Sequence, residues 1–416
     1  MKKIFFFLVL SVTLFSCSKD ADETQNFTVH LNVDRFNNIG NNNASTRAFL
    51  SDENGTILDS GDLKKGQLTT LSFSKDPSAH FDLSYMRYDI DNDLGIELYS
   101  LVTFTNIEAW TYYLSQSLFC ENSQDEITLK LNNTGYPLEV ISTPTLEGDG
   151  GPQNGGYFNF SSNLIGSPTS DFYVSFKSPN DQFVRYYWGE SIPEGSVFNI
   201  DYNTLPEITN PVNTQIPSNS FSFFSVEGLK NNDISNIHHS IAYGNFAGGN
   251  TSLSTSAPPN VFDNYIFNVY YHNNNIEYSK QLLTNNIPEG INTPAFDFTI
   301  NNPSPQNFNM STTGEATIYK VGFKAENSNG RDFLFHNIYG EVTPEVSFSK
   351  ENLRMNIQQS YQDLTGFETL SLDTASLVYY NLTNAYKDIL KYEITGKRYE
   401  IPAVNGFIDS FSKRFE

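Results

Sequence analysis

The sequence predicts an all-β chain of tandem immunoglobulin-like β-sandwich modules, and three observations carry that prediction. Charged residues are only 17% of the chain and aromatics reach 14%, with Asn, Ser and Thr filling much of the polar remainder. Tyr, Phe, Thr and Ile favour a pleated surface, while Asn, Gly, Asp and Pro supply the turns between strands. Sustained apolar spacing of three and four is nearly absent. Leu382 to Tyr392 is the best helical segment, and it reads equally well as a strand pair. The chain also repeats itself: Ile192-Pro193-Glu194-Gly195 recurs as Ile287-Pro288-Glu289-Gly290, and Tyr243-Gly244 as Tyr339-Gly340, at offsets of 95 and 96 residues. Two matches at nearly one offset are the mark of duplication.

Taken in order, residues 1–16 read as a lipoprotein signal peptide. Met1-Lys2-Lys3 precedes the apolar run Ile4 to Leu14, and the small residue Ser16 stands before Cys17. That run is shorter than the ~20 apolar residues a permanent span requires. Residues 17–25 are then a lipidated tether. Residues 26–133 hold about seven strands, the count of one immunoglobulin-like sandwich, including the hairpin turn Asp52-Glu53-Asn54-Gly55. A Gly-, Pro- and Thr-rich linker at 134–156 leads to a second module at 157–250, and Pro258-Pro259 falls near the start of a third at 251–345. Residues 346–416 remain as a C-terminal β segment, a partial module or a cap, with strands at Ser376 to Tyr380, Ile389 to Thr395 and Arg398 to Ile401.

Charge excludes several functions. Without residues 1–16 the chain keeps 23 basic and 47 acidic residues, a formal charge of −24. Such a surface repels phosphate backbones and anionic headgroups, which argues against nucleic acid and against electrostatic membrane docking. The lipid must do the anchoring. With Cys17 acylated, Cys120 is the only remaining thiol, so neither an intramolecular disulfide nor a cysteine metal cluster can form.

Alternation sorts side chains between core and solvent. Phe172, Val174 and Phe176 form one face of their strand. Tyr173 lies on the other, and in the next strand Phe183, Arg185 and Tyr187 alternate with Val184, Tyr186 and Trp188. If the strands are hairpin neighbours, Tyr173, Phe183, Arg185 and Tyr187 share an exposed strip of rings and one guanidinium, a surface that can stack on sugars or hold an extended peptide. Ordinary cross-strand aromatic pairing is the plain alternative. Asn268, Tyr270 and His272 offer a weaker version of the strip, and Trp110 and Trp188 read as core residues.

The sharpest local motif is Asp89-Ile90-Asp91-Asn92-Asp93-Leu94-Gly95-Ile96-Glu97. Alternating carboxylates before a glycine are how loops wrap calcium, with Asp89, Asp91, Asp93 and Glu97 as ligands. The match departs from an EF-hand loop, since Leu94 intervenes before Gly95 and the twelfth position is Ser100. A solvated hairpin turn is the plain reading, calcium is the single cofactor candidate, and no other cofactor is implied. His238 and His239 point to opposite faces of a strand and cannot share a metal in the usual way. No nucleophile elbow, phosphate loop, dinucleotide fingerprint or catalytic carboxylate pair stands out, so the expectation is a protein that is not an enzyme.

Leu14-Phe15-Ser16-Cys17 resembles the lipobox of lipoprotein signal peptidase substrates, which implies a diacylated Cys17. Ser18-Lys19-Asp20-Ala21-Asp22-Glu23 resembles the export signal of surface-exposed lipoproteins of Bacteroidota, with Ala21 interrupting the acidic run. Asp373-Thr374-Ala375 is similar to the short O-glycosylation motif of the same group. The tandem sandwich plan resembles surface glycan-binding lipoproteins that accompany polysaccharide transporters. The resemblance implies an outer-membrane protein, lipid-anchored and surface-exposed, with a periplasm-facing orientation as the alternative. Its expected partners are the membrane through the lipid, a glycan, and an outer-membrane protein. A structural, adhesin or assembly role, and a hydrolase with an unrecognised carboxylate site, stand as the other readings.

Overall fold

The computed structural model describes residues 25–33, 44–75, 80–91, 96–114, 126–133, 139–142, 157–161, 169–193, 195–230, 239–247, 249–326, 332–361, 364–381, 386–395 and 406–415. The protein is an all-β chain of tandem sandwiches, and strand pairing divides the described residues into four units.

Unit I contains β1 (Gln25–Val33), β2 (Ala44–Asp52), β3 (Ile57–Asp62), β4 (Leu68–Lys75), β5 (Phe81–Asp91), β6 (Ile96–Phe104) and β7 (Thr111–Leu114). One layer has the order β4-β1-β7, with β7 parallel to β1; the other has β3-β2-β5-β6. Alternation explains the packing: Val29, Leu31 and Val33 of β1 meet Ala48 and Leu50 of β2, Leu71 of β4 and Leu83 of β5, all buried. Each such aliphatic side chain contributes roughly 1.5–3 kcal/mol on burial.

The same plan recurs three times. Unit II uses β8 (Glu126–Asn132), β9 (Glu139–Ser142), β10 (Tyr157–Ser161), β11 (Thr169–Lys177), β12 (Val184–Pro193) and β13 (Val197–Asp201), with β14 (Glu207–Ile208) on the edge of β12. Unit III uses β15 (Val212–Gln215), β16 (Phe221–Leu229), β17 (His239–Ala247), β18 (Ser252–Thr255), β19 (Asn264–Asn273) and β20 (Ile276–Thr284). Unit IV uses β21 (Asp297–Asn302), β22 (Phe308–Thr313), β23 (Ile318–Glu326), β24 (Asp332–Glu341), β25 (Glu345–Phe348), α1 (Glu351–Ser360), β26 (Ser371–Tyr380), α2 (Tyr386–Thr395) and β27 (Phe407–Arg414). In units III and IV one layer reads β17-β16-β19-β20 and β24-β23-β26-β27, which matches β3-β2-β5-β6 strand for strand. Each of these layers joins two hairpins through a central antiparallel pair, as β2–β3 and β5–β6 are joined by β2–β5 in unit I. In units I and II the first strand takes a closing strand in parallel, β7 on β1 and β13 on β8; in unit III Gln215 bridges Gly290 in parallel.

These boundaries, 25–114, 126–208, 212–291 and 297–414, differ from the three modules that the sequence suggests. Ile-Pro-Glu-Gly begins in the last two residues of β12 in unit II and just after β20 in unit III, so counting from the strands just before it begins the repeat in mid-unit. The expected linker at 134–156 contributes β9, which pairs with β11; its other residues lie outside the described ones. Residues 346–416 are no cap, because β26 and β27 complete the four-stranded layer of unit IV. The expected strand at Ile389 to Thr395 is part of α2, where Tyr386, Ile389, Leu390 and Ile394 make one buried helical face. Arg398 to Ile401 lie outside the described residues. The repeated Tyr-Gly has a packing cause. Gly244 lies opposite Phe224 and Gly340 opposite Tyr319, and a Cβ on either glycine would run into the ring of its partner.

Three of the four-stranded layers fuse edge to edge. β20 of unit III pairs antiparallel with β27 of unit IV, and β24 of unit IV pairs parallel with β6 of unit I, giving one twelve-stranded sheet. α1 covers the unit IV to unit I seam, with Leu353 and Ile357 packed among Phe49, Met86 and Leu101. Beneath it Lys350 Nζ meets Asp82 Oδ2 at 2.5 Å, and His336 Nε2 lies 3.1 Å from Thr103 Oγ1. At the other seam Lys280 Nζ lies 2.7 Å from Asp409 Oδ1, and Tyr271, Tyr278 and Phe411 stack in succession.

Candidate ligand-binding face

The four residues expected to share an exposed strip do not. β11 and β12 are hairpin neighbours, but the register sets Tyr173 opposite Trp188 and Val174 opposite Tyr187. A one-residue difference in register moves a side chain to the other face. Tyr173 is therefore buried against Tyr186 and Phe262, where unit II packs on unit III, and Trp188 joins it through His239 and Phe262. Tyr187 turns to the core of unit II, against Phe172 and Phe198. Arg185 is a clasp: it pairs with Glu207 and Asp181, donates to the Leu205 carbonyl at 2.9 Å, and lies over the Tyr202 ring. Phe183 is half-buried just ahead of β12.

The acidic hairpin joins β5 to β6. Asp89 pairs with Leu98 and Ile90 with Glu97 across the ladder, so Asp89 and Glu97 face opposite sides. Asp89 lies 2.7 Å from Arg87 Nη2, and Glu97 accepts a hydrogen bond from Tyr99. Asp93 and the side chain of Asp91 lie outside the described residues, as do Cys17 and His238. Among the described residues no group of three or more His, Cys, Asp or Glu is placed to hold a metal. Trp110, expected in the core, is 51% exposed, with Lys391 Nζ 4.2 Å from its ring centroid. Asp373-Thr374-Ala375 lies in β26, where the Thr374 hydroxyl sits over Gly322.

The weaker strip is the one the fold completes. On the outward face of units III and IV the ladder aligns side chains in rows across the strands. One row runs Tyr243, Ser225, Asn268, Gln281; the next runs Asn245, Phe223, Tyr270, Ser279, Ser410; the third runs Ala247, Phe221, His272, Glu277, Ser412, Ser376, Lys320. Their chain neighbours Phe224, Val269, Tyr271 and Phe411 are buried on the inner face, which leaves these rows facing outward; in unit IV the open part ends at Ser410, Ser412, Ser376 and Lys320, because Ile408, Val378 and Ile318 on the same face pack into the core that holds β1 and α2. Tyr243 is 66% exposed and the other rings are half-buried. Phe221 stacks on His272 with centroids 5.4 Å apart, and Tyr270 stands 6.4 Å from Phe221. Burial raises the Tyr270 hydroxyl above its ordinary value and the neighbouring Glu277 adds to the effect, so the phenol stays protonated and can donate. Beyond the rings lies a floor of hydroxyls, with Ser279 paired to Ser410 at 2.6 Å and Ser412 to Ser376 at 2.7 Å. Flat apolar rings beside amides and hydroxyls form a surface that can hold an amphipathic, hydroxyl-rich molecule. Sequence alternation over Phe221 to Ser225 and Asn268 to His272 carried the signal; the strand β27 that extends it was hidden by its distance along the chain.

No family model matches the chain, and no curated protein matches it. Among solved structures it is similar to the native conformation of E. coli alpha-2-macroglobulin, at 10% identity and a TM-score of 0.11, a likeness covering 80% of this chain and 26% of that one. The chain thus spans about a quarter of that structure, and so distant a likeness carries no argument. What fold and face define is a class: a tandem β-sandwich protein with an aromatic-edged sheet face.

Proposed function

We propose that this protein is a non-enzymatic, lipid-anchored outer-membrane lipoprotein that binds an extracellular polymer, a glycan, through the outward face of units III and IV. One observation carries the reading: the rows that set Tyr243, Phe223, Tyr270, Phe221 and His272 beside Asn268, Gln281 and the serine hydroxyls. Rings supply stacking area and the amides and hydroxyls answer sugar hydroxyls. The amino-terminal Lys2-Lys3, the apolar run and Ser16-Cys17 support the anchor. Tyr270→Ala or Phe223→Ala should weaken glycan binding at least tenfold in titration calorimetry, the ~1.4 kcal/mol of one stacked ring. Unchanged binding by both variants would refute this face as the site. Cys17→Ala should move the protein from the membrane fraction to the soluble one.

A further inference from the structure

We infer that the ligand is an uncharged polysaccharide lying across the strands and bridging the seam between units III and IV; this rests on the reading above. Charge argues for neutrality. In a protein of formal charge −22, the three rows hold a single carboxylate, Glu277, whose Oε1 is 3.1 Å from Arg414 Nη2 and which hydrogen-bonds Tyr270. One base, Lys320, remains, and its ammonium lies over the Tyr339 ring at 5.3 Å. The face is close to charge-balanced while the protein around it repels anions, so polyanions are turned away at long range and meet a single cation, Lys320, on the floor.

Register argues for the direction. Along a strand, residues on this face mix rings with hydroxyls only within one unit. Across the strands, the row Phe223, Tyr270, Ser279, Ser410 continues from unit III into unit IV without a step, because β20 and β27 pair directly. Four inter-strand spacings from β16 to β26 span roughly 19 Å, room for an oligosaccharide of about four residues. The ring cluster sits on the unit III side, the Ser279–Ser410 pair straddles the seam and Ser412–Ser376 lies beyond it, so a short sugar occupies the rings and a longer one crosses onto β27. The C-terminal strand is thereby part of the site.

The test titrates full-length protein with neutral gluco-, manno- and xylo-oligosaccharides of increasing length and with oligogalacturonates of matched length, at low ionic strength. Affinity for the neutral series should rise to about the tetrasaccharide and then level off, with the oligogalacturonates at least tenfold weaker. Ser410→Gln and, separately, Ser412→Gln, checked for unchanged unfolding midpoints, should remove most of the gain from length, so that the tetrasaccharide binds either variant little better than the disaccharide does. Oligogalacturonates binding as tightly as neutral chains would overturn neutrality while the glycan reading stands. A disaccharide that binds as tightly as any longer chain, or serine variants without effect, would overturn the seam-bridging pose. Failure of every sugar to bind would remove the function proposed above and this inference with it.

Discussion

Lys350→Met isolates the polar lock that holds unit I to unit IV. Asp82, near the start of β5, is buried and accepts hydrogen bonds from Lys350 Nζ at 2.5 Å and from the Asn106 backbone N–H at 3.1 Å. Methionine keeps the apolar stem and strands the carboxylate. Removing one partner of a buried pair costs about 3–5 kcal/mol, most of it the uncompensated charge. Burial already pushes the Asp82 carboxyl above its ordinary value, with Lys350 pulling it back. Without Lys350 the folded-state value climbs further, so the folded protein takes up a proton that the unfolded chain does not bind near neutral pH. A raised carboxyl loses its stabilising contribution as pH rises, so the loss in Lys350→Met should be largest at pH 7 and smaller toward pH 5. In Asp82→Asn with Lys350→Met, the amide oxygen can still accept from Asn106 and no charge is buried, which should restore most of the loss. The assay is hydrogen exchange of the β5, β6 and α1 amides across a urea series, because a protein of four units need not unfold in one step. A deficit below about 1 kcal/mol, or a double variant as weak as the single one, would refute the reasoning.

Other consequences are more local. His336 is buried against Thr103, faced by Arg354 of α1 and by Lys350 at its N-cap; burial, then the two cations, holds its imidazole well below the ordinary 6.5. The unfolded chain therefore binds the extra proton, and stability should fall below pH 6.5 by up to ~1.4 kcal/mol per pH unit relative to His336→Gln, read from unfolding midpoints. Parallel pH profiles for the two proteins would contradict this. Arg185→Ala should cost about 2 kcal/mol by removing charge-assisted hydrogen bonds that tie β14 to β12, with glycan affinity unchanged; lost affinity would return the site to unit II. Gly340→Ala forces a methyl into the Tyr319 ring and should cost about 1–3 kcal/mol, measured by thermal unfolding.

The strand content and the duplication were legible because both are local: alternation follows the pleat, and Ile-Pro-Glu-Gly marks the exits of β12 and β20. The phase of the repeat was not, since the motif ends a strand run without stating where a unit starts. Neither was the partner of any edge. Nothing in residues 407–414 announces that they pair with 276–282, yet that pairing joins two units and extends the candidate face. Tyr173 shows the same limit at one residue. Its alternation with Phe172 and Val174 is real, but the face it takes depends on the register with β12 and on Phe262 some ninety positions later. The α2 helix carries its i, i+3, i+4 pattern openly at Tyr386, Ile389 and Leu390, and aromatic and β-branched residues there hid it among strand propensities.

Hydrogen exchange on the full-length protein, with and without a saturating neutral tetrasaccharide, tests the account most directly. Protection should rise together in β16, β19, β20 and β27 while β11 and β12 stay unchanged. A rise confined to β11 and β12, or one that stops at β20, would contradict a face shared by two units.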